Sequence, residues 1–198
     1  MLKIILSPAK KMVVDTDSLE TISLPPFLDK TEIIKNELQS KTYAELKKLW
    51  ACNDKIAEEN VQRLENMNLN RNITPAILAY DGIAFKYMAP AVFDNRQFEY
   101  IQNHLFILSG FYGVVRPFDG VVPYRLEMQA KLKIDDKKNL YEYWGRDLYD
   151  FVTKDTDTII NLAGKCISLA LNIPPKEAVE KAVEAVESGK ALSKLKQL

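Results

Sequence analysis

Residues 108–128 read LSGFYGVVRPFDGVVPYRLEM, and this stretch holds three of the seven glycines in a chain of 198 residues. It begins within the apolar run LFILSG (105–110), which is typical of a buried strand that ends at a glycine. Gly110 and Gly113 allow the backbone to turn with positive φ or to approach a ligand closely, and the two prolines stiffen the second half of the stretch. The stretch therefore predicts a rigid, re-entrant loop at the carboxyl end of a strand, where open α/β sheets place their ligand sites.

The composition is that of a folded protein without a long-range electrostatic field. Hydrophobic residues make up 47% and charged residues 27% of the chain, a balance that excludes intrinsic disorder. Lys plus Arg and Asp plus Glu both number 27, so any site for an anion must be local. The length favours one compact domain.

Several classes of protein are disfavoured. No segment approaches the length of a membrane span, and the amino-terminal apolar run is too short for a signal peptide, so we expect a cytoplasmic protein. Cys52 and Cys166 lack the spacing of zinc ligands, and the lone His104 is expected to be structural. We expect neither a metal nor a cofactor.

Apolar patterning predicts an α/β fold, in which a mixed sheet is covered by helices. Strands are predicted at 2–6, 75–82, 105–110, 126–134 and 158–163. Helices are predicted at 27–39, 42–50, 53–67, 94–103 and 140–152. The strand at 126–134 has the clearest pattern, because five apolar residues alternate with polar ones.

Two further features concern helices. A capping box, Thr42 to Glu45, opens the second helix, and the short junction WACND (50–54) predicts a helical hairpin with the third. Residues 164–198 contain an amphipathic helix with its apolar face at Ala178, Val179, Ala182, Val183 and Val186. The sequence thus divides into an α/β domain, 1–163, and a divergent helical tail, 164–198.

The glycine-rich loop also supplies a candidate anion site. Arginine offers a planar fork that suits phosphate or carboxylate, and tyrosine offers a stacking face and a hydroxyl group. The candidate residues are Lys10, Lys11, Tyr112, Arg116, Tyr124 and Arg125. The alternative is that the two arginines pair with Asp119 and Glu127 and only brace the loop.

No enzyme signature is present that would identify a reaction. GFYG (110–113) is not a dinucleotide fingerprint, and the chain has no phosphate-loop motif. No catalytic residues are predicted, and enzymatic activity stays uncertain.

Several motifs in sequence order nevertheless resemble a known family. They are LSPAK (6–10), NDKIAEENVQRL (53–64), PAILAYDG (75–82), the whole stretch 108–128, LYEYWG (140–145) and TIINLA (158–163). Together they resemble the YaaA family of bacterial peroxide-stress proteins over residues 1–163. Residue 164, a glycine where the family usually has serine, begins a tail that departs from the family and leaves the chain truncated relative to it.

The resemblance implies a cytoplasmic protein of the hydrogen peroxide response that limits damage from intracellular iron. It also implies DNA binding through a basic cleft and a helix-hairpin-helix element, with no established catalytic reaction. By position, Lys10, Arg116 and Arg125 would line the cleft, and Asn53, Asp54 and Lys55 would form the hairpin. Such binding would hold phosphates without reading base edges, and would be largely independent of sequence.

Two alternatives stay open. The same cations could form the pocket of an enzyme or sensor for a small phosphorylated or carboxylated ligand. The altered tail could also leave an inactive, truncated remnant of the family.

Overall fold

The structure is a computed structural model that describes residues 2–156 and 158–162. In chain order its strands are β1 (Leu2–Leu6), β2 (Thr74–Pro75), β3 (Leu105–Ser109), β4 (Gly113–Val115), β5 (Gly120–Val121) and β6 (Thr158–Asn161). Its α-helices are α1 (Leu28–Gln39), α2 (Tyr43–Trp50), α3 (Asp54–Glu65), α4 (Ala76–Ala79), α5 (Ile83–Met88), α6 (Asn95–His104), α7 (Leu140–Trp144) and α8 (Asp147–Thr153). None of the helices within these residues is long and apolar enough to cross a membrane.

A mixed four-stranded sheet with the order β4-β3-β1-β6 forms the centre of the fold. The strand β1 runs parallel to β3 and to β6, and Leu6 of β1 pairs with Ile107 of β3. The strand β4 is antiparallel to β3, with Val115 opposite Ile107. The predicted α/β fold with a mixed sheet is therefore confirmed.

Side chains of the sheet alternate between two apolar clusters, as a period of two residues requires. Leu105 and Ile107 belong to the main core, whereas Phe106 and Val114 form a smaller cluster with Val152 of α8. Apolar packing on both faces explains why these strands consist of nearly continuous apolar residues.

Helix starts agree well with their prediction, because capping residues act locally. Thr42 forms the predicted capping box with Glu45, and Asp94 forms one with Gln97 at the start of α6. The helices α2 and α3 form the predicted hairpin, in which Ala51 adopts left-handed backbone angles and Asn53 caps α3.

The strand predicted at 126–134 is wrong. The alternating pattern of this segment does correspond to alternating burial. The side chains of Ala130, Leu132 and Ile134 are buried, whereas those of Lys131 and Lys133 are exposed. A strand also needs a neighbour to pair with, and the only bridge within this segment joins Ile134 to Lys137 in a local turn.

The strand predicted at 75–82 is also wrong. It contains the last residue of β2, the short helix α4 and an isolated bridge from Tyr80 to Met12. Since a short run that is apolar throughout has no periodicity, the sequence could not distinguish a buried strand from a buried helical turn.

One predicted helix is divided into two in the structure, and the predicted helical tail lies outside the described residues. The segment 140–152 forms α7 and α8, which are separated at Gly145, where φ is +50°. His104 has the expected structural role, because its Nδ1 lies 2.6 Å from the carbonyl oxygen of Leu2. The tail 164–198 and Cys166 lie outside the described residues.

The left-handed residue in the hairpin generates a stability prediction. Ala51 has φ +46° and ψ +53°, a conformation that costs an L-residue about 1–2 kcal/mol and glycine little. We expect Ala51→Gly to raise the free energy of unfolding by about 0.5–1 kcal/mol in urea titrations. Ala44→Gly, within α2, is the control and should lower it by about 0.5–1 kcal/mol. A decrease in stability of Ala51→Gly would contradict the hairpin geometry.

Candidate functional site

The carboxyl ends of β1 and β3 lie side by side, because these neighbouring strands are parallel. Gly110 directly follows β3, and the backbone of residues 126–128 crosses beside it. A Cβ atom at position 110 would lie 2.8 Å from the Met128 nitrogen and 2.9 Å from the Glu127 carbonyl carbon. Only glycine leaves room for this close crossing, which explains why a glycine directly follows β3.

A third segment joins the same edge through the loop that follows β1. The Asp81 amide donates a hydrogen bond to the Lys11 carbonyl at 2.9 Å, and a Cβ at Gly82 would lie 2.8 Å from the Ala9 Cβ. We call the surface formed by residues 7–11, 81–86 and 125–128 the carboxyl edge.

The carboxyl edge has an excess of positive charge. Its cations are Lys10, Lys11, Lys86 and Arg125, and its carboxylates are Asp81 and Glu127. Four positive and two negative groups give a net charge of +2, in a chain whose formal net charge is 0. The carboxyl edge therefore has a local excess of positive charge that the chain as a whole lacks.

The two carboxylates hold lysine ammonium groups. Lys10 Nζ lies 2.6 Å from the Glu127 carboxylate, while Asp81 binds both Lys11 and Lys86, the latter at 2.9 Å. Hydrogen bonds from Lys11 and Lys86 lower the pKa of Asp81, so this carboxyl group is ionised at neutral pH. The lysine side chains keep much of their exposure, 65% for Lys10, 73% for Lys11 and 67% for Lys86.

Arg125 differs from these lysines. Its Nε is covered by protein and has no hydrogen-bond partner among the described residues. Leaving a buried donor without an acceptor costs about 1–3 kcal/mol. The pairing of Arg125 with Glu127 that the sequence left open is not formed, because Glu127 binds Lys10 instead.

Arg116 does not join Lys10, contrary to expectation. It follows β4, which is antiparallel to β3, and so lies toward the amino-terminal end of β3. Its Nη2 lies 3.1 Å from Asp119, which is 0% exposed, and 3.2 Å from the Ser23 hydroxyl. The bracing role is thus confirmed for this arginine, because a fully buried carboxylate needs a charged partner.

Tyr112 and Tyr124 are also placed differently from their prediction as surface groups. They are 0% and 7% exposed, so neither ring forms a stacking platform for a ligand in solution. The Tyr112 hydroxyl accepts a hydrogen bond from the Val122 amide at 3.0 Å, and the Tyr124 hydroxyl lies 2.7 Å from the Ser109 hydroxyl. These tyrosines satisfy polar groups of the loop from inside.

Ser109 fixes the direction of the first hydrogen bond in this buried chain of hydroxyl groups. Its Oγ accepts from the Phe111 and Tyr112 amides at 3.1 and 2.9 Å, so its proton is donated to Tyr124. The Tyr124 hydroxyl also forms a hydrogen bond with the Tyr80 hydroxyl, 3.1 Å away. Burial raises the pKa of Tyr80 and of Tyr124, which keeps both phenols protonated.

The predicted hairpin residues are exposed at the junction of α2 and α3. The Asn53 side chain accepts from the Ile56 amide at 3.0 Å, so it caps the helix. The Asp54 carboxylate accepts from Tyr43 and Lys47 at 2.9 and 2.6 Å. Hydrogen bonds from Lys47 and Tyr43 lower the pKa of Asp54, so the junction carries a negative charge beside Lys55.

Sequence reasoning missed Asp81 and Lys86 as members of the site. Asp81 lies at the end of the run 75–82 that was wrongly predicted as a strand, where an Asp-Gly pair is typical of a simple turn, and Lys86 follows that run. The signal available was a lysine four residues beyond Gly82, one helical turn into α5. Within residues 2–156 and 158–162, no group of three or more His, Cys, Asp or Glu could hold a metal ion.

Comparisons with known proteins agree on one family. A family model described as peroxide stress protein YaaA matches residues 2–192, a range that runs past residue 163. A UPF0246 protein of Agathobacter rectalis is 60% identical over 178 residues, which are 89% of this chain and 72% of that protein.

Two further relatives are similar over a shorter range. UPF0246 proteins of Pediococcus pentosaceus and Desulfitobacterium hafniense are 54% and 56% identical over 83% and 82% of this chain. The matches cover 65% and 64% of those two proteins, so the chain spans slightly less than two thirds of their length. The boundary at residue 163 stays a prediction.

The buried hydrogen bonds of Tyr124 generate a prediction about protein stability. Tyr124→Phe removes the acceptor of the Ser109 proton and the hydrogen-bond partner of Tyr80, and we expect the free energy of unfolding to fall by about 1–3 kcal/mol. Tyr141→Phe, at an exposed tyrosine, should have no effect in the same urea titration. Full stability of Tyr124→Phe would contradict the stabilising contribution assigned to these buried hydrogen bonds.

Proposed function

Because the chain belongs to the YaaA family of peroxide stress proteins, we propose that it binds DNA through phosphate groups at the carboxyl edge. In this proposal it acts in the cytoplasm during peroxide stress, when iron-dependent damage threatens DNA, and it needs no catalytic reaction. The binding is largely independent of base sequence, since the contacts are made to phosphates.

The observation that carries the proposal is the exposure of three lysines on one surface. The side chains of Lys10, Lys11 and Lys86 are each about two-thirds exposed or more. Sites for small ligands are concave and bury about 70–90% of the ligand surface. Exposed ammonium groups spread over several segments are better suited to the repeated charges of a nucleic acid backbone.

The ion pairs at the carboxyl edge do not prevent such contacts. Salt bridges on a protein surface contribute only about 0–1 kcal/mol, and Asp81, whose side chain is 13% exposed, keeps one of its two lysines when the other contacts a phosphate. The net charge of +2 persists when the lysines move between partners. Binding should weaken as salt rises, because condensed cations are released from DNA when protein binds it.

A triple substitution tests this surface. We expect Lys10→Gln, Lys11→Gln and Lys86→Gln together to weaken binding of a labelled duplex by about tenfold or more at low salt. The slope of log affinity against log salt should fall by about one for each phosphate that the variant no longer binds. Fluorescence anisotropy across a salt series measures both.

The matched comparison is a triple substitution in the helical hairpin. Lys47→Gln, Lys48→Gln and Lys55→Gln remove the same charge from the other candidate surface. The proposal expects the carboxyl-edge variant to show the larger decrease in affinity and in slope. The proposal fails if only the hairpin variant binds more weakly, or if the unsubstituted protein does not bind at low salt.

A substitution of Asp81 should strengthen DNA binding, whereas the lysine substitutions should weaken it. Asp81→Asn removes a carboxylate that stays ionised at neutral pH, and should strengthen binding about threefold at low salt and pH 7. Asp136→Asn, in an exposed pair with Lys137, is the control and should leave affinity unchanged. Weaker binding of Asp81→Asn than of the control would show that Asp81 serves to position Lys11 and Lys86 rather than to oppose DNA.

The lowered pKa of Asp81 also sets a pH dependence. A carboxyl group whose folded-state pKa is depressed contributes stability above its unfolded pKa, and this is lost as pH falls through the folded value. The stability difference between the native protein and Asp81→Asn should therefore shrink below about pH 4. Urea titrations at several pH values measure it, and a difference that is constant with pH would contradict the assigned ion pairs.

A further inference from the structure

We propose that Arg125 binds the terminal phosphate of a DNA strand, so that the carboxyl edge recognises strand ends in addition to the duplex backbone. This inference rests on the proposed function, and it names the part of DNA that this one side chain contacts. It concerns a group with a different environment from the exposed lysines.

The position of Arg125 is fixed by its neighbours along the chain. The next three residues cross beside Gly110 at the carboxyl end of β3, and Glu127 in that crossing binds Lys10. Arg125 therefore lies in the segment that forms the carboxyl edge, close in sequence to a residue in contact with the loop after β1.

The carboxylates at this edge are already engaged. Glu127 binds Lys10, and Asp81 binds Lys11 and Lys86. The covered Nε of Arg125 has no acceptor among residues 2–156 and 158–162. A guanidinium donor that none of these residues satisfies is suited to an anionic acceptor such as a phosphate.

The chemistry of the missing acceptor favours a phosphate at a strand end. A phosphate inside a strand has one negative charge and is flanked by sugars on both sides. A terminal phosphate has a charge of about −1.5 to −2 at neutral pH and three free oxygens, and it is attached on one side only. Such a group is less hindered by sugars than an internal phosphate and can accept two parallel hydrogen bonds from a planar guanidinium.

The experiment compares three labelled duplexes of one sequence by anisotropy at one salt concentration. The first is a closed dumbbell without ends, the second is linear with hydroxyl ends, and the third is linear with phosphate ends at the 5′ or the 3′ position. We expect the phosphorylated duplex to bind about tenfold more tightly than the hydroxyl duplex, the value of one charge-assisted hydrogen bond. Equal affinities for the two linear duplexes would overturn the inference.

The second part uses Arg125→Lys, which keeps the charge and removes the planar fork. The ratio of the two linear affinities is the readout, and it should fall to about one, whereas Lys133→Gln should keep the native ratio. A native ratio in Arg125→Lys would overturn the assignment to this residue. If this variant does not fold, the ratio measured with the unsubstituted protein still decides whether strand ends are recognised.

A competition assay separates strand ends from free nucleotides. A deoxynucleoside monophosphate that displaces the phosphorylated duplex as well as an equal concentration of phosphorylated oligonucleotide would overturn the inference in favour of a small-ligand site. Binding of the closed dumbbell shows whether a negative result contradicts DNA binding itself or only the recognition of strand ends. No binding of any duplex contradicts the proposed function, whereas dumbbell binding without an end preference contradicts only the role of Arg125.

Discussion

The close crossing of residues 126–128 over Gly110 is the contact on which the site depends. No side chain fits at position 110, because the Met128 nitrogen and the Glu127 carbonyl carbon occupy the place of its Cβ. The Gly110 carbonyl is fixed as well, since it accepts a hydrogen bond from the buried Trp144 indole at 3.0 Å. This crossing brings Arg125 and Glu127 to the ends of β1 and β3, although both are far from Lys10 in sequence.

The residues of the glycine-rich loop divide into two groups that sequence alone could not separate. Arg116, Tyr112 and Tyr124 stabilise the loop from within, through Asp119, Val122 and Ser109 respectively. The side chains of Lys10, Lys11 and Lys86 form ion pairs but stay largely exposed. The Nε of Arg125 is covered by protein and has no acceptor among the described residues. The same residue types therefore serve folding on one side of the loop and are available for binding on the other.

Local signals account for the parts of the fold that the sequence predicted correctly. The strands β1, β3 and β6 are apolar runs bounded by polar or turn residues, and Thr42 and Asp94 mark helix starts through contacts three residues away. The wrong predictions concern partners that are distant in sequence. The apolar alternation at 126–134 reflects alternating burial of side chains, but this segment has no neighbouring strand to pair with. Arg116 was misplaced because β4, a strand of only three residues, reverses the direction of the chain before it.

The central claim is that DNA contacts the carboxyl edge, and hydrogen exchange measured by mass spectrometry tests it most directly. Amide exchange in the presence and absence of a saturating duplex locates the bound surface without any substitution. The account predicts slower exchange in residues 7–11 and 81–86, with residues 43–55 of the helical hairpin unchanged. Protection confined to residues 43–55 would contradict it, and would place DNA on the hairpin instead.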